Sequence, residues 1–220
     1  MFIKYSKTFR LQIPQYPVIP GKLIMTKDEV SYLLGGGVSI EEKMDGANTG
    51  IIRHKNGFSL QKRGSLVGQA EHAQFQYFHH WANQLNYDKI MSVPEGFLIY
   101  GEFLYATHHL YYDQLPDYFL VFDVLKDGEW LTRADRNTFC DAYGFHPVPL
   151  ITAGYYNLED LHQFIPDKSA YGPVAEGIVV KRYRKGEYIR GKVVKPEFVK
   201  ELEEVDHWSK GPLRKNKLRG

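Results

Sequence analysis

The chain has 220 residues, of which 43% are hydrophobic and 25% are charged, so it can form one large domain or two small ones around a buried core. Aromatic residues make up 15%, which excludes a disordered, collagenous or coiled-coil chain. No run approaches the ~18 apolar residues that span a bilayer, and the first residues lack a signal peptide's apolar block. The single Cys140 excludes an internal disulfide and a zinc site made of cysteine pairs. A cytoplasmic protein without a membrane partner is expected.

The net charge of +2 is unevenly distributed along the chain. Residues 1–180 contain 15 Lys and Arg against 20 Asp and Glu, a local charge of −5. Residues 181–220 contain 13 against 6, a local charge of +7. A basic stretch of this kind can neutralise phosphates. From charge alone, the alternative is a solvated helix followed by a frayed tail.

The first predicted elements are a short helix and three strands. Thr26 and Glu29 form a capping box that predicts a helix through Leu34, and three glycines then end it. Further along, two β-like runs flank Asn56-Gly57, the strongest short hairpin signal. The first three strands are therefore predicted to be antiparallel. They cover residues 38–43, 48–55 and 58–62.

The rest of the chain continues to mix helices and strands. Helices are predicted at 70–85, 133–143, 158–164 and from Pro196 to about Val205, and strands at 97–104, 118–125, 178–183 and 188–195. The last two strands are expected to form a hairpin around Lys185-Gly186. Because strands outnumber helices and pair mainly as hairpins, the pattern predicts an α+β fold with antiparallel sheets flanked by helices.

Lys43 is the residue best placed for chemistry. It ends a predicted strand, has the carboxylates of Glu41, Glu42 and Asp45 close by in sequence, and precedes a turn at Gly46. A lysine is a nucleophile only when deprotonated, and burial or nearby cations lower its pKa. Lowering that pKa from about 10.4 to about 8 takes roughly 3 kcal/mol, which two or three close cations in a partly desolvated pocket can supply. Taken alone, Lys43 also fits an ordinary lysine paired with Asp45.

Five further motifs follow Lys43 in order. They lie at residues 61–64 (Gln-Lys-Arg-Gly), 100–105 (Tyr-Gly-Glu-Phe-Leu-Tyr), 118–124 (Tyr-Phe-Leu-Val-Phe-Asp-Val), 176–181 (Glu-Gly-Ile-Val-Val-Lys) and 191–196 (Gly-Lys-Val-Val-Lys-Pro). Taken singly, Glu102 fits a surface carboxylate, Phe122 a core residue and Glu176 an ordinary turn.

Together with Lys-Met-Asp-Gly at 43–46, these motifs resemble those of the covalent nucleotidyltransferases, which comprise ATP-dependent RNA and DNA ligases and mRNA capping enzymes. The resemblance is closest to short stand-alone phage and bacterial RNA ligases of the double-strand-sealing type, whose nucleophile motif continues to an asparagine, here Asn48. It extends to both ends, at residues 4–11, 206–208 and 216–218. It implies an ATP-grasp-like adenylation domain over residues 1–205 and a basic tail over 206–220.

The resemblance also implies roles for individual residues. Lys43 attacks the α-phosphate of ATP, Arg63 contacts phosphate or ribose, Glu102 binds the ribose hydroxyls, Phe122 stacks on adenine, and Glu176 helps to hold Mg²⁺ or Mn²⁺. Further nucleotide contacts are expected from Glu42, Asp45, Asn48, Lys192 and Lys195. His108 is either a substrate contact or an ordinary loop histidine.

The last motif departs from the family pattern of Lys-x-Lys. Lys192 and Lys195 are three residues apart, and in a regular strand such residues point to opposite faces. Either a bulge re-aims one of them, or one contacts the α-phosphate and the other meets nucleic acid. The resemblance favours Lys192 as the first motif lysine and Lys195 as the second.

The implied function is that of an ATP-dependent RNA ligase. It would form lysyl-AMP on Lys43, pass AMP to an RNA 5′-phosphate and seal that end to a 3′-hydroxyl, as a monomer in a bacterial cytoplasm, or in a host cytoplasm if phage-encoded. A DNA ligase and a capping guanylyltransferase are alternatives, but both usually carry a further barrel domain, whereas about 25 residues follow Lys195. The third alternative is a nucleic-acid-binding pseudo-enzyme that does not seal.

Overall fold

The computed structural model describes residues 2–18, 21–68, 71–184, 186–198 and 213–220. In chain order its elements are β1 (Phe9–Arg10), α1 (Lys27–Leu34), β2 (Val38–Glu42), β3 (Ala47–His54), β4 (Gly57–Lys62), β5 (Ser65–Leu66), α2 (Ala73–His80), a π-helix (Trp81–Leu85), α3 (Tyr87–Ser92), β6 (Phe97–Phe103), β7 (Phe119–Lys126), β8 (Glu129–Trp130), α4 (Arg133–Tyr143), β9 (His146–Pro147), β10 (Leu150–Gly154), a 3-10 helix (Leu158–Phe164), β11 (Gly177–Arg184) and β12 (Glu187–Val194).

The strands form two sheets. The first has the order β1-β12-β11-β2-β10, and the second has the order β5-β4-β3-β6-β7-β8, with β9 added beside β7. Among the described strands, all pairs are antiparallel except β1 with β12 and β7 with β9. The predicted α+β class with antiparallel sheets is confirmed. The chain passes from the first sheet to the second between β2 and β3, so residues 43–46 bridge the two sheets.

Local signals placed the first elements correctly. The amide of Glu29 donates to Thr26 Oγ1 at 3.2 Å, and the amide of Thr26 donates to Glu29 Oε2 at 2.7 Å. This is the predicted capping box, and α1 begins directly after it. The Asn56-Gly57 hairpin also forms, with His54 opposite Gly57 in the β3–β4 register.

The prediction of one continuous α-helix over 70–85 was wrong. Within the described residues it is α2 followed by a π-helix that begins at Trp81. The Trp81 indole donates to Asp117 at 2.8 Å, and the Asn86 side chain donates to the Trp81 carbonyl at 3.1 Å. These contacts are consistent with tertiary packing widening the turn, which apolar spacing alone does not reveal.

Several short elements were not predicted, because their sequence signals are too short. One predicted helix lies partly outside the described residues. Residues 196–198 are helical, but the rest of the helix predicted from Pro196, and residues 206–208, lie outside the described residues. No helix in the described part of the chain combines the length and apolar character that a membrane crossing requires.

The first sheet has one apolar face and one charged face. Ile40, Ile178, Val180 and Val193 pack with Leu33 of α1 in one core cluster. Strand residues alternate between faces, so Glu41, Lys181 and Lys192 point the other way, towards the second sheet. The second sheet packs its own aromatic core against α2 to α4, with members such as Phe78, Phe103, Phe119 and Phe139. The charged space between the sheets is where the candidate site lies.

Candidate active site

A cavity of about 500 Å³ lies between the two sheets, beside the segment that joins β2 to β3. Seven of the ten predicted site residues line it: Glu42, Lys43, Asn48, Arg63, Glu102, Phe122 and Lys192. The candidate substrate contact His108 also lines it, and its Nε2 lies 3.1 Å from Gln74 Oε1. Asp45 and Glu176 adjoin the cavity through Lys43, as described below, whereas Lys195 lies elsewhere.

Lys43 is held at the end of β2 by both its backbone and its side chain. Its amide donates to the Gly177 carbonyl at 3.0 Å, and its Nζ donates to Glu176 Oε2 at 2.5 Å. Burial lowers the pKa of Lys43, but the carboxylates of Glu176, Glu102 and Asp45 outweigh burial and raise that pKa above its ordinary value. The expectation that cations lower the pKa of Lys43 is therefore not met, because Lys43 is the protonated partner in an ion pair with Glu176.

Two carboxylates facing Lys43 are themselves in an unfavourable setting for charge. Burial is the largest cause of the raised pKa of Glu102, which is about 7; Lys43 acts against burial, whereas Glu176 and Asp45 act with it. Burial likewise raises the pKa of Glu176, and Lys43 offsets part of that rise. A cation near these carboxylates would relieve the crowding of negative charge.

The donor set fits a divalent cation that takes most of its ligands from elsewhere. Among the described residues, no group of three or more His, Cys, Asp and Glu side chains could hold a metal ion. Glu176 supplies a carboxylate of the type that Mg²⁺ prefers, and Mg²⁺ usually completes its shell with water and substrate phosphates. The carboxylate of Glu176 therefore fits an ion that arrives with a nucleotide.

Asp45 anchors the turn that follows Lys43. Its Oδ2 accepts hydrogen bonds from the amides of His109 at 2.7 Å and Leu110 at 2.9 Å, and its own amide donates to the Tyr112 hydroxyl at 2.9 Å. Burial raises the pKa of Asp45, but the hydrogen bonds from His109 and the charge of Lys43 outweigh burial and lower that pKa to about 2. Asp45 is therefore an ionised anchor that faces away from the cavity.

Gly46 lets the turn lie against the second sheet. A Cβ at this position would lie 2.7 Å from the Leu104 side chain and 2.7 Å from the Phe103 carbonyl oxygen. The Gly46 amide also donates to Glu102 Oε1 at 3.1 Å. The glycine of the Lys-Met-Asp-Gly motif thus brings the segment after Lys43 close to the strand that carries Glu102.

Lys192 and Lys195 point in different directions. Strands β11 and β12 pair without a bulge, so Lys192 faces the cavity opposite Val179. The Lys195 ammonium instead donates to the Asp167 carbonyl at 3.4 Å. Burial lowers the pKa of Lys192 to about 8, and the nearby charges of Lys43, Arg10 and Arg63 act in the same direction. Three cations therefore lie close to Lys192.

Glu42, by contrast, turns its carboxylate away from this cation cluster. Its Oε2 accepts a hydrogen bond from the Ala170 amide at 3.0 Å, on the side of the sheet where Lys195 lowers its pKa; burial is the larger effect and leaves that pKa raised. The even-numbered residues of β2 face the apolar core, which explains the direction of Glu42.

Phe122 is fixed from behind by buried charges. Its carbonyl accepts hydrogen bonds from Lys181 Nζ at 2.6 Å and Arg136 Nη1 at 2.8 Å. The same two cations pair with Glu41, at 2.8 Å and 2.7 Å. The Tyr5 ring lies against Phe122, with centroids 5.0 Å apart. These contacts fix the position of the Phe122 ring in the cavity wall.

The opening segment of the chain supplies a cavity wall that the sequence did not predict. Tyr5, Ser6 and Thr8 line the cavity. Arg190 holds this segment by donating to the Ser6 carbonyl at 2.7 Å and to Thr8 Oγ1 at 3.0 Å, and its guanidinium lies 3.9 Å from the Tyr5 ring centroid. These contacts have no local signal. Lys181 also lines the cavity. Its position was predictable, because it lies in the 176–181 motif on the same strand face as Val179.

Comparison with known proteins identifies the family. Residues 36–195 match the RNA ligase family model. The Naegleria gruberi RNA ligase with PPi is similar in structure, with a TM-score of 0.69 and 16% identity, covering 92% of this chain and 59% of that one. A variant of that enzyme with ATP and Mn gives the same values, and a variant with AMP and Mn gives a TM-score of 0.65, also at 16% identity, with 92% of this chain and 59% of that one covered.

At this level of identity the structural likeness shows a shared fold, and the chain spans about 59% of the length of the Naegleria enzyme. A search of curated protein sequences returned no match. The family model nevertheless covers most of the chain, including the segments that carry Lys43, Arg63, Glu102, Phe122 and Lys192. The chain belongs to the RNA ligase family.

Proposed function

We propose that the protein is an ATP-dependent RNA ligase that works through a covalent lysyl-AMP on Lys43. The observation that carries this proposal is the convergence of Lys43, Arg63, Glu102, Phe122 and Lys192 on one cavity in a member of the RNA ligase family. The similar Naegleria structures with ATP and Mn support ATP and a divalent cation as the ligands.

The cavity suits a nucleotide held at both ends. Phe122 offers a ring face for adenine, and Glu102 offers a carboxylate for the ribose hydroxyls. Arg63 and Lys192, with Arg10 close to Lys192, supply positive charge for the phosphates. Such fixed cations stabilise charge that develops on phosphate oxygens during transfer.

Lys43 has to lose its proton before it can attack. Glu176 favours the protonated form of Lys43 through the 2.5 Å contact. A divalent cation beside Glu176 would neutralise its carboxylate and the phosphate charge. Burial, which lowers the pKa of Lys43, would then meet less opposition from the carboxylates. Loss of the proton from Lys43 thus depends on neutralisation of Glu176.

The proposed reaction has three steps. The Lys43 nitrogen attacks the α-phosphorus, a P–N bond forms, the bond from that phosphorus to the bridging oxygen breaks, and pyrophosphate leaves. The 5′-phosphate of RNA next takes AMP from Lys43, which regenerates the free lysine. A 3′-hydroxyl finally attacks the activated 5′ end and releases AMP.

Exposed cations beside the site support a nucleic-acid substrate. Arg214, Lys215, Lys217 and Arg219 are exposed, and they belong to the part of the chain with a local charge of +7. A strip of this kind neutralises backbone phosphates and releases counterions. We therefore propose that RNA lies across this strip with its ends at the cavity.

Covalent labelling tests the proposal directly. The protein is incubated with Mg²⁺ or Mn²⁺ and with ATP, GTP or NAD that carries a label on the α-phosphate of its transferred nucleotide. We expect label from ATP, and we expect Lys43→Ala and the charge-preserving Lys43→Arg to abolish it. Label from GTP alone would replace the proposal with a capping activity, and no label from any donor would replace it with a binding module.

A joining assay tests the substrate. Nicked RNA, nicked DNA and single-stranded RNA, each with a 5′-phosphate and a 3′-hydroxyl, are offered to the labelled enzyme. We expect RNA ends to be joined. Joining of DNA ends alone would contradict the proposed substrate while leaving the lysyl-AMP chemistry in place.

A further inference from the structure

Residues 213–220, here called the clasp segment, run along the loop that follows β6. Backbone hydrogen bonds join the two at several points: the Thr107 amide to the Arg214 carbonyl at 2.8 Å, the Lys217 amide to the Tyr112 carbonyl at 2.8 Å, and the Leu115 amide to the Lys217 carbonyl at 3.1 Å. The first part of this loop, residues 104–112 and here called the 104–112 loop, also carries His109 and Leu110, whose amides donate to Asp45.

Asn216 is the buried centre of the clasp segment, with 1% of its surface exposed. Its side-chain amide donates to the Leu104 carbonyl at 2.8 Å and to the Ala106 carbonyl at 3.4 Å. Its side-chain oxygen accepts from the Tyr112 amide at 2.9 Å and from the Thr107 hydroxyl at 3.0 Å. One carboxamide thus ties both ends of the 104–112 loop.

The pattern of bonds requires an asparagine. Its NH₂ group supplies two donors for two carbonyl oxygens, and its oxygen supplies acceptors for an N–H and an O–H. An aspartate would place negative charge against the Leu104 and Ala106 carbonyls, and an alanine would leave four buried backbone and side-chain groups with fewer partners.

The other face of the loop acts on the nucleophile turn. His109 and Leu110 hold the Asp45 carboxylate, and the Tyr112 hydroxyl holds the Asp45 amide. Tyr112 is also the residue whose amide binds Asn216. Two hydrogen-bonded steps therefore connect Asn216 with the residue two positions after Lys43.

We propose that Asn216 is a positioning residue for Lys43: it fixes the 104–112 loop, and the loop fixes the Asp45 turn that aims the lysine into the cavity. The inference rests on the proposed function, because it concerns the lysine that would carry AMP. Asn216 has no direct contact with the cavity, so it acts on the geometry of the nucleophile and leaves nucleotide contacts in place.

The kinetic test compares Asn216→Ala and Asn216→Asp with the wild type in single-turnover labelling from ATP. A small displacement of a reacting group costs up to about 10²-fold in rate, so we expect the rate at saturating ATP to fall roughly 10- to 100-fold. We expect the half-saturating ATP concentration to stay within about twofold, since nucleotide contacts are kept. A loss confined to ATP affinity would overturn the proposal.

Asn86→Ala is the matched control. The Asn86 carboxamide also donates to a backbone carbonyl, that of Trp81, but neither residue lines the cavity. We expect wild-type labelling rates from this variant at a temperature where all variants are folded by circular dichroism. An equal rate loss in Asn86→Ala and Asn216→Ala would reduce Asn216 to a general contributor to folding and overturn the proposal.

Tyr112→Phe tests the second step with less disturbance. It removes only the hydroxyl that holds the Asp45 amide. If Asn216 and Tyr112 act on the same turn, the rate loss in the double variant Asn216→Ala/Tyr112→Phe will be smaller than the product of the two single losses. Independent, multiplicative losses would contradict a shared route to Lys43.

Amide hydrogen exchange supplies a readout that needs no activity. In Asn216→Ala we expect faster exchange at His109 and Leu110, with unchanged exchange in β3 and β6. Unchanged protection at both amides would overturn the proposal even if labelling falls. A wild-type protein that takes no label from any nucleotide would instead reject the proposed function, while the exchange measurement would still decide whether Asn216 orders the Asp45 turn.

Discussion

The charge on Lys43 depends on the residues packed around it. Residue types alone favoured a lysine activated by cations, yet Glu176, Glu102 and Asp45 surround it and hold it protonated. Cations also lie close: the charges of Lys43, Arg10 and Arg63 help burial to lower the pKa of Lys192. The pKa of a lysine that lies near both acidic and basic groups changes strongly when a ligand neutralises one kind of group and leaves the other.

Glu102 makes stability depend on pH. Its folded-state pKa of about 7 lies above its ordinary value of 4.5, so its ionisation is less favourable in the folded protein. Its contribution to stability is fully present below pH 4.5 and is lost as pH rises through 7. We expect the melting temperature of the wild type to fall between pH 5 and pH 8, and Glu102→Gln to flatten that fall.

Exposed Glu129 provides the control, since Glu129→Gln removes a carboxylate from the surface of β8. Asp45, with a pKa of about 2, does not titrate in this range. Parallel melting curves for the wild type and Glu102→Gln across the range would contradict the assignment to Glu102.

Sequence reasoning found the residues that belong to short motifs and missed those fixed by distant contacts. Lys43, Glu102 and Phe122 stand in recognisable strings and do line the cavity. Arg136 and Tyr5 support Phe122, but Arg136 reaches it from a different element, α4, and Tyr5 from the opening segment of the chain. No local pattern reports such a contact, because burial of a charged or aromatic group is decided by the packing of whole sheets.

The alternation of side chains between the two faces of a strand determines which residues of β12 reach the cavity. Lys192 faces the cavity from a strand whose pairing is regular as far as Val194, and Lys195, directly after the strand, turns to the Asp167 carbonyl. The sequence already contained this constraint, but the choice between a bulge and a regular strand depends on pairing with β11.

The two lysines should therefore differ in their variants. We expect Lys192→Ala to reduce the rate of labelling from ATP by about 10²-fold or more, as for loss of one fixed group that stabilises charge in a transition state. Lys195→Ala loses a contact to the Asp167 carbonyl and should affect labelling far less. Equal losses in single-turnover assays would show that β12 presents both lysines to the nucleotide.

Strands β11 and β12 pack closely at Gly177. A Cβ on Gly177 would overlap the Val193 carbonyl oxygen, so the strands would have to separate beside Glu176. We expect Gly177→Ala to lower the free energy of unfolding by about 1–3 kcal/mol in urea titrations, the usual cost of overpacking.

Gly57→Ala is the matched control in the β3–β4 hairpin, where a Cβ would meet no atom within 4 Å. Its effect on the free energy of unfolding should stay below about 1 kcal/mol. A Gly177→Ala protein as stable as Gly57→Ala would mean that the strands adjust freely at this point.

At the scale of the whole molecule, two sheets enclose the site and charge is divided between its interior and its rim. The fold class followed from the hairpin pattern, and the structure confirmed it. The position of residues 213–220 could not be predicted from the sequence. The segment docks through one buried asparagine, and a single residue produces no periodic pattern. The exposed cations of this segment lie along the loop that holds Asp45 and that contributes His108 to the cavity wall.

Binding of RNA should therefore weaken steeply with salt. Each phosphate contact contributes roughly 0.7 to 0.9 to the slope of log affinity against log salt concentration. We expect Lys217→Gln/Arg219→Gln to lower that slope by about one to two for a labelled RNA followed by fluorescence anisotropy at several KCl concentrations. The exposed Lys55→Gln in the β3–β4 turn is the control and should keep the wild-type slope. A flat salt response of the wild type would refute a phosphate-based contact.

The wall that Arg190 builds with Ser6 spans 184 positions of sequence. During synthesis the lysine of β2 leaves the ribosome early, whereas β12, which carries Lys192 and Arg190, leaves late. Contacts of such long range form only after the intervening chain is available. A nascent or prematurely terminated chain would therefore display Lys43 before Arg190 and Lys192 can complete the cavity, and we expect such a chain to take no label from ATP.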